Sequence, residues 1–210
     1  MAVSCGPDEP VHEPTPLTLD YPSHFPTPDL PASNPLTEEG VRLGRHLFYE
    51  DRLSGDNSQN CGSCHFQESN FAEPMRFSVG IDGISGDINA MVLSNMAWQQ
   101  FFFWDGRMTT LEEQVKDPIV NPIEMHANWP EVLEKLAQDP RYLEMFTDAF
   151  GDDEITKERT AKALAQFVRT MVSGSSKLDQ YVQGTYTFTP SEQIGFDIFN
   201  NEQGDCFHCH

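Results

Sequence analysis

Two copies of a short cysteine–histidine motif constrain this chain more than any other feature of its sequence. Each copy reads C-x-x-C-H, and the six residues involved are Cys61, Cys64, His65, Cys206, Cys209 and His210. In such a motif the two thiols add to the vinyl groups of a haem, and the adjacent histidine becomes an axial ligand of the iron. The sequence therefore predicts two covalently bound haem c groups, with His65 and His210 as iron ligands.

Two other kinds of site use paired cysteines, and both fit this chain less well. A four-cysteine zinc site requires the two pairs to meet in space, and it gives no reason for a histidine to follow each pair. A thioredoxin-like redox pair follows a strand in a βαβ unit, and no such pattern precedes either pair here. We therefore favour haem attachment at both motifs.

The charge balance narrows the choice of partners. The 210 residues include 33 acidic and 13 basic side chains, which gives a formal net charge of −20. Phosphate binding needs clusters of lysine and arginine, so this balance argues against a nucleic-acid partner. It favours association with a basic partner through long-range attraction. The sequence has no run of 18 or more apolar residues, which argues against a membrane-spanning helix.

The first part of the chain differs in composition from the rest. Residues 1–33 are rich in proline and acidic residues and lack a helical or alternating apolar pattern, so they are predicted to form a disordered linker. The fifth cysteine, Cys5, follows small residues, as at the end of a lipoprotein signal, which favours a lipid anchor at Cys5. The alternative is a free cysteine in a disordered tail.

From Thr37 onward the sequence pattern is helical. Thr37 and Thr189 are candidate N-cap residues with glutamate in the first turn that follows. Thr156 begins the clearest helix, in which apolar residues recur at three- and four-residue spacing until Gly174. Because strand patterns are sparse, we predict a mostly α protein.

A related segment precedes each C-x-x-C-H motif, which indicates an internal repeat. Gly44–Phe48 and Gly195–Phe199 both read glycine, two variable residues, an aliphatic residue and phenylalanine. We therefore predict two cytochrome c-like haem domains. The first is expected at residues 34–185, and the second begins at residue 186 and stops at residue 210, so we expect it to be truncated.

The sixth coordination site of a haem decides whether the protein carries electrons or reacts with a small ligand. No histidine lies between Phe66 and Met125. The four methionines in that interval are more typical of core packing than of iron ligation; they are Met75, Met91, Met96 and Met108. The sequence therefore predicts an open site at the first haem.

Three motifs between the two cysteine pairs carry a family resemblance. Phe103–Arg107 reads F-W-D-G-R, Leu111–Gln114 reads L-E-E-Q, and Asn121–Met125 reads N-P-x-E-M. With these and with Asn34–Thr37, the chain resembles the bacterial di-haem cytochrome c peroxidase family, which includes the maturation oxidases of methylamine utilisation. The resemblance covers about residues 34–210.

The resemblance implies roles for four residues. Glu124 is implied to act as acid and base over the peroxidatic haem, and Gln114 to position peroxide. Trp104 is implied to lie between the haems on the electron path, and Asn89 to be a ligand of a calcium ion. By composition alone, Glu124 would be a solvated surface acid, Trp104 a core aromatic residue and Gln114 an exposed helix residue. A carboxylate buried near a haem has a raised pKa and suits the proton transfers of peroxide cleavage.

Three departures from the family pattern qualify these roles. Ile81 stands on the glycine loop near the place where many members hold a blocking histidine, which favours an open site without reductive activation. Ile88 replaces the usual arginine before Asn89, which weakens the calcium assignment. In the family, the sixth ligand of the second haem follows the second motif, so we expect that ligand to lie beyond residue 210.

Two further histidines are not expected to bind iron. His126, beside Glu124, is predicted to face solvent, and His208, within the second motif, to be a surface residue or a neighbour of a haem propionate.

These features predict a periplasmic di-haem peroxidase. It would reduce hydrogen peroxide to water with electrons from a small external donor such as a cytochrome c, relayed by the second haem. The alternatives are a ferryl-forming di-haem oxidase that acts on a protein or organic substrate, and a non-catalytic di-haem electron carrier. Covalent haem attachment is expected outside the cytoplasm, with membrane anchoring through Cys5, and family members are often homodimers.

Overall fold

The computed structural model describes residues 12–209. Within that range the chain forms eight α-helices and several single turns of 3-10 helix, and its strand-like pairing is limited to isolated bridges. The helices are α1 Glu38–Phe48, α2 Leu111–Gln114, α3 Asp117–Val120, α4 Trp129–Ala137, α5 Pro140–Phe150, α6 Lys157–Arg169, α7 Lys177–Val182 and α8 Pro190–Phe199. The mostly α prediction is confirmed. Over these residues, we find no helix with the length and apolar character needed to cross a bilayer.

The chain divides into two compact units. Among the described residues, 12–20 and 27–172 belong to the first unit, and 21–26 and 173–209 to the second. The division therefore falls at residues 172/173 instead of the expected 185/186. Within the second unit, the Tyr181 ring on α7 stacks on Phe188 with centroids 4.0 Å apart and lies 5.5 Å from Phe196 on α8. Because α7 packs against α8 in this way, it belongs to the second unit.

The core of the first unit is built around the contact between α1 and α6. The largest side chains with almost no exposed surface include Leu43, Leu47, Phe48, Phe146 and Leu164. Each such side chain contributes about 1.5–3 kcal/mol by leaving water. A Cβ atom at Gly44 would lie 1.9 Å from the Ala163 carbonyl oxygen, so the close approach of the two helices requires glycine there.

The helix starts follow the sequence closely, and the end of α6 does not. The hydroxyls of Thr37, Thr156 and Thr189 accept hydrogen bonds from backbone N–H groups in the first turns of α1, α6 and α8, as predicted. The apolar pattern extends α6 to Gly174, yet the helix ends at Arg169. There the Met171 carbonyl accepts a hydrogen bond from the Asn95 N–H at 2.8 Å, so a distant loop turns the chain out of the helix.

A buried polar network holds α2 against α6. The Arg169 guanidinium donates to both oxygens of Glu112, at 2.7 and 2.9 Å. Asn34 donates to the same carboxylate at 2.6 Å and accepts from Gln166 at 2.9 Å. Since Arg169, Gln166 and Asn34 are all buried, these contacts fix the position of α2, the helix that ends at Gln114.

Residues 12–33 are more ordered than their composition predicts. The segment at residues 12–20, which we call the N-terminal strap, lies along the chain that enters α1. The Leu17 N–H donates to the Leu36 carbonyl and the Glu38 N–H donates to the Thr15 carbonyl, both at 2.9 Å. Leu19 is buried. The strap is therefore ordered by hydrogen bonds to the backbone of residues 36–38 and by burial of Leu19. Residues 1–11, with the predicted anchor residue Cys5, lie outside the described residues.

Candidate haem site in the first unit

The first C-x-x-C-H motif is folded into a single tight turn. Cys61–Ser63 form one turn of 3-10 helix, and the His65 N–H donates to the Cys61 carbonyl at 3.0 Å. Asn60 and Ser63 bond each other's backbone N–H reciprocally, and the Asn60 amide also donates to Asp51 at 2.7 Å. Because both flanks are bonded in this way, the two cysteines and the histidine are held on one short segment.

His65 is arranged as a metal ligand. Its Nδ1 lies 3.0 Å from the Phe71 carbonyl oxygen, so Nδ1 carries the proton and Nε2 is the nitrogen available to a metal. Burial lowers the pKa of His65 below its ordinary value, against opposing hydrogen bonds to the backbone of Phe71 and Met91. The ring is therefore neutral at physiological pH, which is the protonation state that coordinates metals.

The motif opens into a cavity of about 440 Å³. Both cysteines and His65 line it, and apolar side chains supply much of the remaining wall; among these are Phe48, Leu93, Met96, Phe102 and Leu164. Cys61 and Cys64 are free thiols, and burial raises the pKa of Cys61 to about 12. An apolar cavity with two thiols and a neutral histidine fits a covalently attached haem.

Glu124 lies on the wall of the same cavity and is partly buried. The Asn121 amide donates to its Oε1 at 2.7 Å. Burial raises the pKa of Glu124 above its ordinary value, and the negative charge of Asp117 adds to this effect, while the Asn121 hydrogen bond and Arg107 oppose it. This environment agrees with the expected raised pKa of Glu124, and the acid–base role of the residue stays a prediction.

The glycine loop is fixed directly against the backbone of Glu124. The Ile81 N–H donates to the Glu124 carbonyl at 3.0 Å. A Cβ atom at Gly80 would lie 2.3 Å from the Ile123 carbonyl oxygen, so the loop approaches this closely only with glycine there. The loop therefore fixes the backbone of the segment that carries the carboxylate.

Gln114 is the last residue of α2 and lines the cavity beside Pro118. It is partly buried, and the Glu112–Arg169 contact fixes the helix that carries it. The structure thus brings together three side chains that the motifs single out: His65, Gln114 and Glu124.

Trp104 also borders the cavity, although 66% of its surface is exposed. Its indole N–H donates to the Asn89 carbonyl at 2.9 Å. Nearby, the Arg107 guanidinium lies 3.5 Å from the centre of the Phe103 ring. The position of Trp104 between two haems stays a prediction.

Asn89 holds a cluster of backbone carbonyls. Its amide nitrogen lies 2.8 Å from the carbonyl oxygen of Met75 and 3.3 Å from those of Glu73 and Arg76. Calcium is bound by oxygen atoms, so a calcium ion at this point requires the amide to present its oxygen instead. The assignment of Asn89 to a calcium site stays a prediction.

His126 is exposed to solvent, as predicted. Its side chain is 51% exposed, its Nδ1 lies 2.5 Å from an Asp82 carboxylate oxygen, and it is absent from the cavity lining. Ile81 likewise is not among the lining residues, whereas Met91 and Met96 are. Met75 is 67% exposed.

The second motif is described as far as Cys209. Cys206 is partly buried, Cys209 is exposed, and the Cys209 N–H donates to the Cys206 carbonyl at 3.2 Å. His208 is exposed and contacts Asp205, which agrees with its predicted surface position. His210, the predicted iron ligand, lies outside the described residues.

Sequence reasoning missed the contact between Asn121 and Glu124. The N-P-x-E-M motif contains a signal for it, because asparagine favours turns in which its side chain bonds nearby residues. The sequence alone does not show that the carboxylate turns back onto that amide.

Comparison with known proteins agrees with this site. The sequence profile of the di-haem cytochrome c peroxidase family matches residues 38–187. The chain belongs to that family. Its cofactor class is therefore haem.

Relatives of this chain carry two kinds of name. The methylamine utilization protein MauG of Methylophilus methylotrophus is 36% identical over 182 residues, which are 86% of this chain and 54% of that protein. The cytochrome c551 peroxidase of Nitrosomonas europaea is 35% identical over 187 residues, which are 88% of this chain and 55% of that protein. The chain spans about half the length of these relatives.

Solved structures place the fold in the same group. A MauG-like protein associated with microbial copper homeostasis superposes with a TM-score of 0.86 at 35% identity, over 92% of this chain and 58% of that one. The diheme peroxidase BthA from Burkholderia thailandensis gives a TM-score of 0.74 at 25% identity, over 84% of this chain and 50% of that one. The helical fold is thus that of the MauG-like proteins and diheme peroxidases.

Proposed function

We propose that this chain is the peroxidatic part of a di-haem peroxidase that reduces hydrogen peroxide to water. The observation that carries the proposal is the position of Glu124, a partly buried carboxylate with a raised pKa on the wall of the cavity that the C-x-x-C-H motif opens into. Cys61 and Cys64 would hold a haem c covalently, and His65 would be its proximal ligand. When bound, the haem supplies an iron that accepts peroxide and is oxidised by it.

The chain's own residues supply the proton transfers. In its ionised form, the Glu124 carboxylate takes the proton from one oxygen of hydrogen peroxide. As the O–O bond breaks, it returns that proton to the other oxygen, which leaves as water. A pKa raised above that of an exposed glutamate suits both steps, because the same group must accept and then release a proton near neutral pH. The Gln114 amide, on the same wall, can hold the peroxide by hydrogen bonds.

Completing the reduction to two waters takes two electrons and two further protons. We propose that the electrons come from a small cytochrome c-type donor through a second haem, attached at Cys206 and Cys209 with His210 as ligand. Trp104 would be the aromatic step between that haem and the cavity, since it borders the cavity and is largely exposed.

The test is peroxide-dependent oxidation of a reduced small cytochrome c by the haem-loaded protein and by Glu124→Gln. General acid–base catalysis contributes about 10²–10⁴-fold, so the glutamine variant should lose that much of the peroxide-dependent rate while keeping its haem spectrum. Glu113→Gln, on the exposed face of α2, is the matched control and should keep full activity. Equal rates for Glu124→Gln and the unchanged protein would reject the role of Glu124, and no peroxide-dependent oxidation by either protein would reject the peroxidase proposal and favour an electron carrier.

A di-haem oxidase is a second candidate, because the relatives include methylamine utilization proteins MauG. Such an enzyme would use the same cavity and Glu124 but take its electrons from a protein or organic substrate. Fast peroxide consumption with reduced cytochrome c as donor favours the peroxidase. The oxidase is favoured if peroxide is consumed slowly with that donor while peroxide binding still weakens in Glu124→Gln.

We further propose a periplasmic location, since covalent attachment of haem to thiols is expected outside the cytoplasm. A lipid anchor at Cys5, a homodimer, and a calcium ion at Asn89 belong to the same proposal. The support for the calcium ion is the convergence of three backbone carbonyls at the Asn89 amide.

A further inference from the structure

We propose that Asn121 is the positioning residue of Glu124, and that its single amide contact sets both where the carboxylate lies in the cavity and how readily that carboxylate gains a proton. This inference rests on the proposed function and adds to it a residue that does not itself touch peroxide.

The first support is the geometry of the Asn121 side chain. Its Nδ2 donates to Glu124 Oε1 at 2.7 Å, while its Oδ1 accepts from the Ile123 N–H at 3.2 Å. One amide therefore uses its donor on the carboxylate and its acceptor on the backbone of the same turn. Because the acceptor end is anchored, the donor end is fixed, and the carboxylate is held at one orientation.

The second support is the backbone of the same residue. The Asn121 carbonyl accepts from the N–H groups of Glu124 and His126, both at 3.0 Å, and its own N–H donates to the carbonyl of Asp117, the first residue of α3. The residue that orients the carboxylate is thus itself fixed to α3 and to the turn that follows. Freedom of the Glu124 side chain is restricted at both its backbone and its carboxylate.

The third support is the balance of charges that face Glu124. Asp117 on α3 repels the ionised carboxylate, and Arg107 from the F-W-D-G-R segment attracts it. On the haem motif, burial raises the pKa of the Cys64 thiol, and the negative charge of Glu124 adds to this effect. Among these neighbours, Asn121 makes the direct hydrogen bond, and a donor in that place favours the ionised form of a buried carboxylate.

The variant Asn121→Asp tests the contact with Glu124 without disturbing the turn that contains it. A carboxylate can still accept from the Ile123 N–H, so Asn121→Asp keeps the turn. It cannot donate to Glu124, and it places a like charge next to that carboxylate. Asn121→Ala removes the donor without adding a charge, and thus tests the same contact by a different route.

The experiment is an infrared titration of the haem-loaded protein. The carbonyl stretching band of protonated Glu124 is identified by its loss in Glu124→Gln, and its midpoint is followed against pH. We expect Asn121→Asp to move that midpoint upward by about one pH unit or more, and Asn121→Ala to move it upward by less. The acid limb of the pH profile for peroxide turnover should move in the same direction.

Asn128→Asp is the matched control. Asn128 caps α4 through its Oδ1 and is exposed, so aspartate there adds the same charge and keeps the cap. This control should leave the Glu124 midpoint in place. Unchanged midpoints in both Asn121 variants, or an equal shift in Asn128→Asp, would overturn the inference. The infrared band is measured without turnover, so the two proposals can fail separately. If only the peroxidase proposal is wrong, Glu124 will still titrate with the expected shifts, but the protein will not reduce peroxide.

Discussion

At the scale of single residues, the site depends on opposing effects at one carboxylate. Burial and Asp117 raise the pKa of Glu124, while Asn121 and Arg107 lower it. Asp117 also lies 3.3 Å from Arg107, so it weakens the attraction that Arg107 exerts. The proton affinity of Glu124 is therefore set by neighbours that can be changed one at a time.

Asp117→Asn should move the acid limb of peroxide turnover to lower pH. Removing a negative charge makes ionisation of Glu124 easier, and freeing Arg107 acts in the same direction, so the base form persists to greater acidity. The measurement is the pH profile of peroxide-dependent cytochrome c oxidation. Asp105→Asn, which removes the other carboxylate that contacts Arg107, is the control for effects on that arginine alone. A shift toward higher pH in Asp117→Asn would contradict this account.

At the scale of secondary structure elements, two contacts hold the helices that frame the cavity. Gly44 allows α1 to touch the backbone of α6, and Glu112 ties α2 to Arg169 on α6. Burial acts to raise the pKa of Glu112, but hydrogen bonds from Arg169 and Asn34 hold it below the ordinary value of 4.5. A lowered pKa of this kind stabilises the folded state above the unfolded-state pKa. The stabilisation is lost as the pH falls through the folded-state pKa.

Glu112→Gln should destabilise the protein by about 3 kcal/mol at neutral pH, because it leaves the Arg169 charge buried without its partner. The measurement is chemical denaturation, with Glu113→Gln on the same helix as the control. The difference between Glu112→Gln and the unchanged protein should shrink as the pH falls from the ordinary value of 4.5 through the lowered folded-state pKa, where the native carboxylate also becomes protonated. A difference that is constant with pH would argue against the ion pair as its cause.

Gly44→Ala should destabilise the protein by about 1–3 kcal/mol, since α1 and α6 must separate to admit the extra carbon. Gly195→Ala on α8 is the matched helix control, because a Cβ atom there meets no atom within 4 Å. Alanine favours helix over glycine, so the control should be neutral or slightly stabilising. Thermal unfolding followed by circular dichroism distinguishes the two outcomes, and equal effects would reject the packing explanation.

The sequence predicts local features at this scale and misses those that depend on distant partners. The caps at Thr37, Thr156 and Thr189 were predictable because the hydroxyl and its N–H donor lie within one helical turn. The end of α6 was not, because it depends on a hydrogen bond from Asn95. In the cavity, the family resemblance pointed to Glu124, but the amide that holds it became visible only in the folded chain.

At the scale of the whole molecule, charge is the dominant property. A net charge of −20 attracts basic partners over distances set by the ionic strength. The repeat of the C-x-x-C-H motifs predicts two haem domains with a boundary at residues 185/186, and this stays a prediction. The compact units of the structure divide at residues 172/173, because the aromatic contacts of α7 with Phe188 and α8, which the sequence pattern does not show, place α7 in the second unit.

Electron donation by a basic small cytochrome c should slow by at least several-fold between about 10 mM and about 150 mM salt, as the Debye length falls from about 30 to about 8 Å. The measurement is the second-order rate constant for oxidation of the reduced donor at saturating peroxide. An uncharged small-molecule reductant serves as the control and should show little dependence on salt. A basic donor whose rate does not change with salt would show that net charge does not guide the encounter.

The order of the N-terminal strap determines how fast a protease can cleave it. By composition, residues 12–20 look like a tail that would be cleaved at once. Because Thr15 and Leu17 are bonded to the chain that enters α1 and Leu19 is buried, cleavage there requires the strap to detach first. Its rate of digestion then follows the fraction of molecules in which the strap is open, when opening and closing are fast. Limited proteolysis of this segment would therefore report how often the entry to α1 loosens.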